Sequence, residues 1–198
     1  MIDFDQIKIL YQLGRNLTLA DARILMNASQ PKSYAVGDHL IKEGAVKKEV
    51  FFIKKGLVRG YRVNDKGIEI TGLVRREYQI VVSVNVILFD QPSESYYQAL
   101  EPTEVFCMDY DTIQNIVAKY PKLEANRRFI LLNLIKELSY RVLSVVFKSP
   151  EERYLDFVKK NPNIINRVHD KYIANILGIT PVSLSRIRKR IASKPPKK

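Results

Sequence analysis

The stretch DKYIANILGITPVSLSRIRKRI, residues 170–191, decides how this chain is read. Tyr172, Ile173, Ile176 and Leu177 fall on the inward side of a short helix that Asp170 is placed to cap, and Ala174 is small enough to let a second helix approach. Gly178 supplies the left-handed residue that ends a helix. Two residues later, Thr180 and Pro181 form a start signal, a hydroxyl N-cap followed by proline at the first helical position. The order is helix, tight turn, helix. In the second helix Leu184, Ile187 and Ile191 lie within about 60° of one another at roughly 100° per residue, which defines a buried stripe. Val182, Arg186 and Lys189 lie opposite, flanked by Ser183 and Arg190 on one side and by Ser185 on the other.

Such an outer face can read DNA. Arginine can bond bidentately to guanine, valine can touch a thymine methyl, and the helix N-terminus with Thr180 and Pro181 can approach a phosphate. Lys171, on the first helix, is placed for a backbone contact. A solvated amphipathic helix is the plainer alternative, but cap, small residue, turn glycine and basic face occur together within 22 residues, which favours a helix-turn-helix.

The charge distribution agrees. The 198-residue chain carries 33 Lys and Arg against 21 Asp and Glu, a net of +12, and residues 148–198 alone hold a net of +9. A basic module on a nearly neutral body is the electrostatic footprint of nucleic-acid binding. The final Lys194-Pro195-Pro196-Lys197-Lys198 reads as a solubilising, frayed end. One cysteine, Cys107, allows neither an internal disulfide nor a four-thiolate cluster, and no uncharged apolar run reaches membrane-spanning length. The reading is a cytoplasmic protein.

Upstream, residues 5–30 show short amphipathic helices (Ile7, Ile9, Leu10 and Leu13, then Leu19, Ala22, Leu25 and Met26) placed as a lid on the strands after them. From Ser33 to Asp109 the texture is short strands punctuated by glycine turns, Asp65-Lys66-Gly67 among them, which suggests an antiparallel jelly roll. Residues 80–89 are rich in β-branched side chains and fit a strand or strand–turn, with helix open for their second half. From Pro121 to Phe147 no Gly or Pro interrupts a helical run about 39 Å long at ~1.5 Å per residue. Its seam of Leu131, Leu134, Leu138, Arg141, Val142 and Val145 has the spacing that pairs helices across a symmetric homodimer. Ser149 and Pro150 then start a new helix.

With these elements assembled, the chain resembles the Crp/Fnr family of bacterial transcription regulators. The residues that carry the resemblance are YIANILGITPVSLSRIRKRI, with Val36-Gly37-Asp38, Glu43-Gly44 and Lys55-Gly56-Leu57-Val58-Arg59 in the barrel. The resemblance implies an α+β fold: a cyclic-nucleotide-binding-like jelly roll over residues 1–120, a dimer helix over 121–147, and a winged-helix-like helix-turn-helix domain over 148–198. It implies double-stranded DNA as partner, with Arg186 in the base-reading position and Thr180, Ser183 and Lys189 where the family touches DNA. Pro181 and Val182 stand where the cAMP-responsive members carry Arg-Glu, so their operator does not transfer. Val84-Asn85 and Ser93-Glu94 stand where those members hold ribose and cyclic phosphate with Gly-Glu and Arg-Ser, so the expected effector is a small molecule other than cAMP, or none. The cysteines of the oxygen-sensing branch are absent.

Tyr96 and Tyr97 either line a small-molecule pocket with Val84, Asn85, Ser93 and Glu94 or simply pack the barrel. His39 and His169 have no partner at metal-ligand spacing, and no nucleophile motif or phosphate-cradling glycine loop appears; no metal, cofactor or catalysis is expected. Two competing classes are a ligand-binding barrel whose basic module docks an acidic protein, and a metal-dependent barrel enzyme.

Overall fold

The computed structural model describes residues 17–193. The expected helix around Ile7, Ile9, Leu10 and Leu13 and the basic tail from Lys194 lie outside the described residues. The chain enters through α1 (Leu19–Asn27), started by a reciprocal cap in which Thr18 accepts from the Asp21 backbone while the Asp21 carboxylate takes the Thr18 amide.

Eight short strands come next: β1 (Gln30–Tyr34), β2 (His39–Ile41), β3 (Glu49–Lys55), β4 (Val58–Val63), β5 (Glu69–Arg75), β6 (Ile80–Val81), β7 (Tyr96–Ala99) and β8 (Thr103–Asp109). They form two four-stranded sheets, ordered β1-β8-β3-β6 and β2-β7-β4-β5, with every pairing antiparallel. This is the expected jelly roll. Phe51, Ile53, Val58, Val81, Val105 and Cys107 fill the space between the sheets, as period-2 alternation of inward apolar residues requires. The β4–β5 hairpin is tied at its tip by Asn64, whose Oδ1 accepts from the amides of Lys66 and Ile68 at 3.0 Å each. Residues 80–89 divide: the first two make β6 against β3, and the second half is helix α2 (Val84–Phe89), ended by Asp90 in the left-handed region.

After β8 come α3 (Tyr110–Lys119), one 3₁₀ turn (Pro121–Leu123) and the long α4 (Glu124–Phe147), 24 residues of which only Asn126 and Ser144 are buried. Three helices complete the chain: α5 (Pro150–Lys160), α6 (Asp170–Leu177) and α7 (Pro181–Ala192). Their core gathers Tyr154, Ile164, Ile173, Ala174, Leu177, Leu184 and Ile187, and one residue of the barrel, Leu57, is fully buried in the same cluster. Among the described residues no strand comes after β8.

Candidate nucleic-acid interface

The three C-terminal helices are built from strong local signals. Ser149 and Glu152 cap α5 reciprocally, with Pro150 at its first position. Helix α6 ends at Gly178 with φ +65°; the Gly178 amide donates to Asn175 O at 2.9 Å and the Ile179 amide to Ala174 O at 3.0 Å. This pair of bonds is a Schellman stop, and it turns the chain within two residues. Thr180 then caps α7 by accepting from the Ser183 amide at 3.1 Å. Asp170 departs from expectation. His169 occupies the N-cap without a side-chain bond, and Asp170 sits in the first turn, where it pairs with Arg188 at 2.6 Å.

That pairing sorts the cations of α7. Arg188 turns inward, to Asp170 and the Tyr154 hydroxyl. Leu184 and Ile187 are buried, as their stripe requires. Lys171, Thr180, Pro181, Val182, Ser185, Arg186, Lys189 and Arg190 are exposed, and Ser183 is half-buried. Among the described residues Arg186, Lys171 and Lys189 form no ion pair, whereas Arg190 reaches Glu151 of α5 at 2.6 Å. The structure therefore leaves the expected outer-face residues exposed or half-buried, with one of their cations engaged.

The seam between this module and the barrel cannot be read from local sequence. Arg167 places its guanidinium between Glu77 (2.6 Å) and Glu101, and the pair of carboxylates raises its pKa further above the ordinary arginine value. The same guanidinium touches the carbonyl of Gly56. Gly56 has φ +111°, and a Cβ there would stand 2.4 Å from Thr103 Oγ1, so only glycine fits. Burial raises the Glu77 carboxyl, but Arg167 and the amides of Glu77 and Gly56 outweigh it and hold the group below the carboxylate range. Arg59, 3% exposed, is stacked between Tyr61 of the barrel (4.0 Å) and Tyr172 of α6 (4.4 Å) and donates to Gln98 and Glu69. The Thr71 amide donates to Asn175 Oδ1 at 3.2 Å. These partners are separated by up to 113 positions.

The residues weighed as a barrel pocket are divided between the core and the surface. Tyr97 is core, and Tyr96 stacks on Tyr61 at 5.0 Å beside His39, whose ring nitrogen bonds the Tyr61 hydroxyl. Ser93 is buried and donates to Ser95 O; Glu94 is exposed and pairs with Arg62 at 2.5 Å; Val84 is exposed and Asn85 half-buried on α2. The two main cavities are lined by other residues. One is apolar and lies under α1, with Leu25, Met26, Phe52 and Phe106 among its walls, so the lid is in place. On α4, Leu131, Leu138, Val142 and Val145 are exposed and Leu134 half-buried, while Arg141 turns back to donate to the Gly72 carbonyl of the barrel. Ile135, absent from the expected seam, is 58% exposed beside it. Among the described residues no group of three or more His, Cys, Asp or Glu side chains could hold a metal ion, and no helix is long and apolar enough to cross a membrane.

Comparison with known proteins gives three findings. Residues 31–120 match the model of the cyclic nucleotide-binding domain family. Electron transport regulator A of Shewanella oneidensis is 27% identical over 170 residues, covering 76% of this chain and 64% of its own length; this chain thus spans under two thirds of that curated relative. Among solved structures, FixK2 from Bradyrhizobium japonicum superposes with a TM-score of 0.72 at 16% identity over 83% of this chain and 85% of that one, and a CooA mutant from Carboxydothermus hydrogenoformans with 0.69 at 20% identity over 91% and 87%.

Proposed function

We propose that this chain is a regulator of the Crp/Fnr type, as its cyclic nucleotide-binding-like domain and its relatives support, and that it is a sequence-specific, DNA-binding transcription regulator acting in the cytoplasm as a homodimer. The observation that carries the reading is the outer face of α7: Val182, Ser185, Arg186 and Lys189 stand exposed on a helix whose opposite side is locked into a core. In this reading α7 enters the major groove, Arg186 takes a guanine edge, Val182 meets a thymine methyl, and Thr180, Pro181, Ser183, Ser185, Lys171, Lys189 and Arg190 border the backbone.

The long helix supplies the pairing. Leu131, Ile135, Leu138, Val142 and Val145 present an apolar stripe to solvent, and burying such a side chain stabilises by about 1.5–3 kcal/mol. Two copies joined along α4 would offer two α7 helices to a two-fold symmetric site. In this reading the effector is not cAMP: the pair that the family resemblance aligns with the phosphate-binding residues is Ser93-Glu94, and Glu94 already answers the nearby Arg62, so that guanidinium is paired with a carboxylate where the cAMP-responsive members use arginine for the phosphate. A ligand-binding barrel whose basic module docks an acidic protein shares the same charge, but it gives the base-reading geometry of α7 no work.

The test is selection from fragmented genomic DNA by the purified protein at about 0.15 M salt, with sedimentation of the free protein alongside. The expected product is a symmetric motif with half-sites about 10 bp apart, centre to centre, and a dimer that Leu138→Glu converts to monomer. Retention of DNA without sequence preference, both by the protein alone and with the small organic anion proposed below present, would exclude the regulator reading.

A further inference from the structure

A cavity of about 190 Å³ lies where β5, α4, α5 and α6 meet, and none of Val84, Asn85, Ser93 and Glu94 is among its walls. Its walls combine two kinds of residue. Val145, Phe157, Ile164 and Leu177 are among the apolar ones, and Arg75, Arg141, Arg153 and Lys160 line it as well. The two carboxylates in the wall are already taken: Glu137 pairs with Arg75 at 2.7 Å, and Asp156 accepts from the Tyr140 hydroxyl and from Lys148. Arg153 also forms no ion pair among the described residues, but it is held by two bonds to carbonyls, those of Leu177 (3.0 Å) and Lys148 (2.8 Å).

Two cations are engaged less still. Arg141 donates only to the Gly72 carbonyl and Lys160 lies over the Tyr140 ring; among the described residues neither forms an ion pair. Two cations facing an apolar wall, in a space somewhat larger than the ~150 Å³ cavity that accepts benzene in another protein, define a ligand with one anionic group on a small apolar body. A bare inorganic anion would leave the apolar wall wet, and a neutral hydrocarbon would leave both cations unanswered.

We propose that this cavity binds a small organic anion, a carboxylate or phosphate monoester carried on a single ring or short chain, with Arg141 and Lys160 taking the charge and Phe157 and Ile164 the apolar body. Because the walls come from barrel, long helix and C-terminal module together, the ligand favours the docked arrangement of all three. That consequence rests on the regulator reading; binding itself does not.

The experiment is calorimetric titration of the full chain, without DNA, using four probes: phenyl phosphate, benzoate, phenol and inorganic phosphate. Phenyl phosphate or benzoate should bind at least tenfold more tightly than phenol and inorganic phosphate, and whichever binds better identifies the anionic group. Lys160→Gln, an exposed change at the end of α5, should weaken the better probe about tenfold and leave the melting temperature in place; Arg141→Gln should do the same. Equal binding of inorganic phosphate, equal binding of phenol, an unchanged affinity in Lys160→Gln, or no binding of either aryl anion would each overturn the assignment. Failure of the operator selection with success here would remove the regulator reading and leave the site standing.

Discussion

Arg167 at the barrel seam and Arg186 on the outer face of α7 are the same side chain in opposite surroundings. Arg167 is 26% exposed and lies between two carboxylates; Arg186 is exposed and forms no ion pair among the described residues. A guanidinium that already has its carboxylates holds the protein to itself, whereas one left without them is available to phosphates and base edges. Arg190 stands between the two cases, on the outer face yet bonded to Glu151. Cation content alone therefore overstates the surface that can meet DNA.

The largest effect should come from the seam. Arg167→Ala strands Glu77 and Glu101 and should lower the unfolding free energy by about 2–3 kcal/mol, less than the ~3–5 of a fully buried pair, as chemical denaturation would measure. The seam also has a pH signature. The folded Glu77 carboxyl is held low, so its contribution is present above the unfolded value of about 4.3 and is lost as pH falls through the folded value. Arg167→Ala should flatten or reverse that acid loss, and an unchanged profile would show that the pair does not hold the seam.

Arg186→Ala should leave denaturation unchanged and weaken binding to the selected site by about 1–3 kcal/mol, with relaxed preference at one base position. Equal losses on specific and random DNA would move Arg186 to the backbone class. Lys171→Ala should weaken all sequences alike and reduce the slope of log affinity against log salt by about 1, a change visible in titrations at several salt concentrations. The smallest effect belongs to the intermediate case. Glu151→Gln frees Arg190 and should tighten DNA binding by less than about 1 kcal/mol, the worth of an exposed pair; weaker binding would mean that Arg190 serves the fold rather than the ligand.

How much the sequence reveals depends on the distance over which each signal acts. Gly178, Thr180 and Pro181 determine their own dihedrals and hydrogen bonds, so the turn between α6 and α7 is legible residue by residue. The short runs punctuated by glycine turns, Asp65-Lys66-Gly67 among them, point to the jelly roll for the same reason. Residues 80–89 are ambiguous because β6 exists only through Phe51↔Val81 and Phe52↔Ile80, partners some 30 positions away. Asp170 is drawn from capping by Arg188, 18 positions on. Arg141 lies among seam residues by heptad spacing, yet its bond to Gly72 crosses 69 positions. The Arg167 latch, whose partners are 66 and 90 positions away, has no local trace at all.

Leu57 leaves the barrel's loop to finish the core of the C-terminal helices. A module of about fifty residues has only some 2.5–7.5 kcal/mol of stability to draw on, and the loss of one fully buried leucine costs about 2–5 kcal/mol. The barrel thus serves as part of the template on which the three helices condense: the two parts should melt in one cooperative transition, and a C-terminal fragment cut at residue 148 should be markedly less stable than the same helices in the full chain.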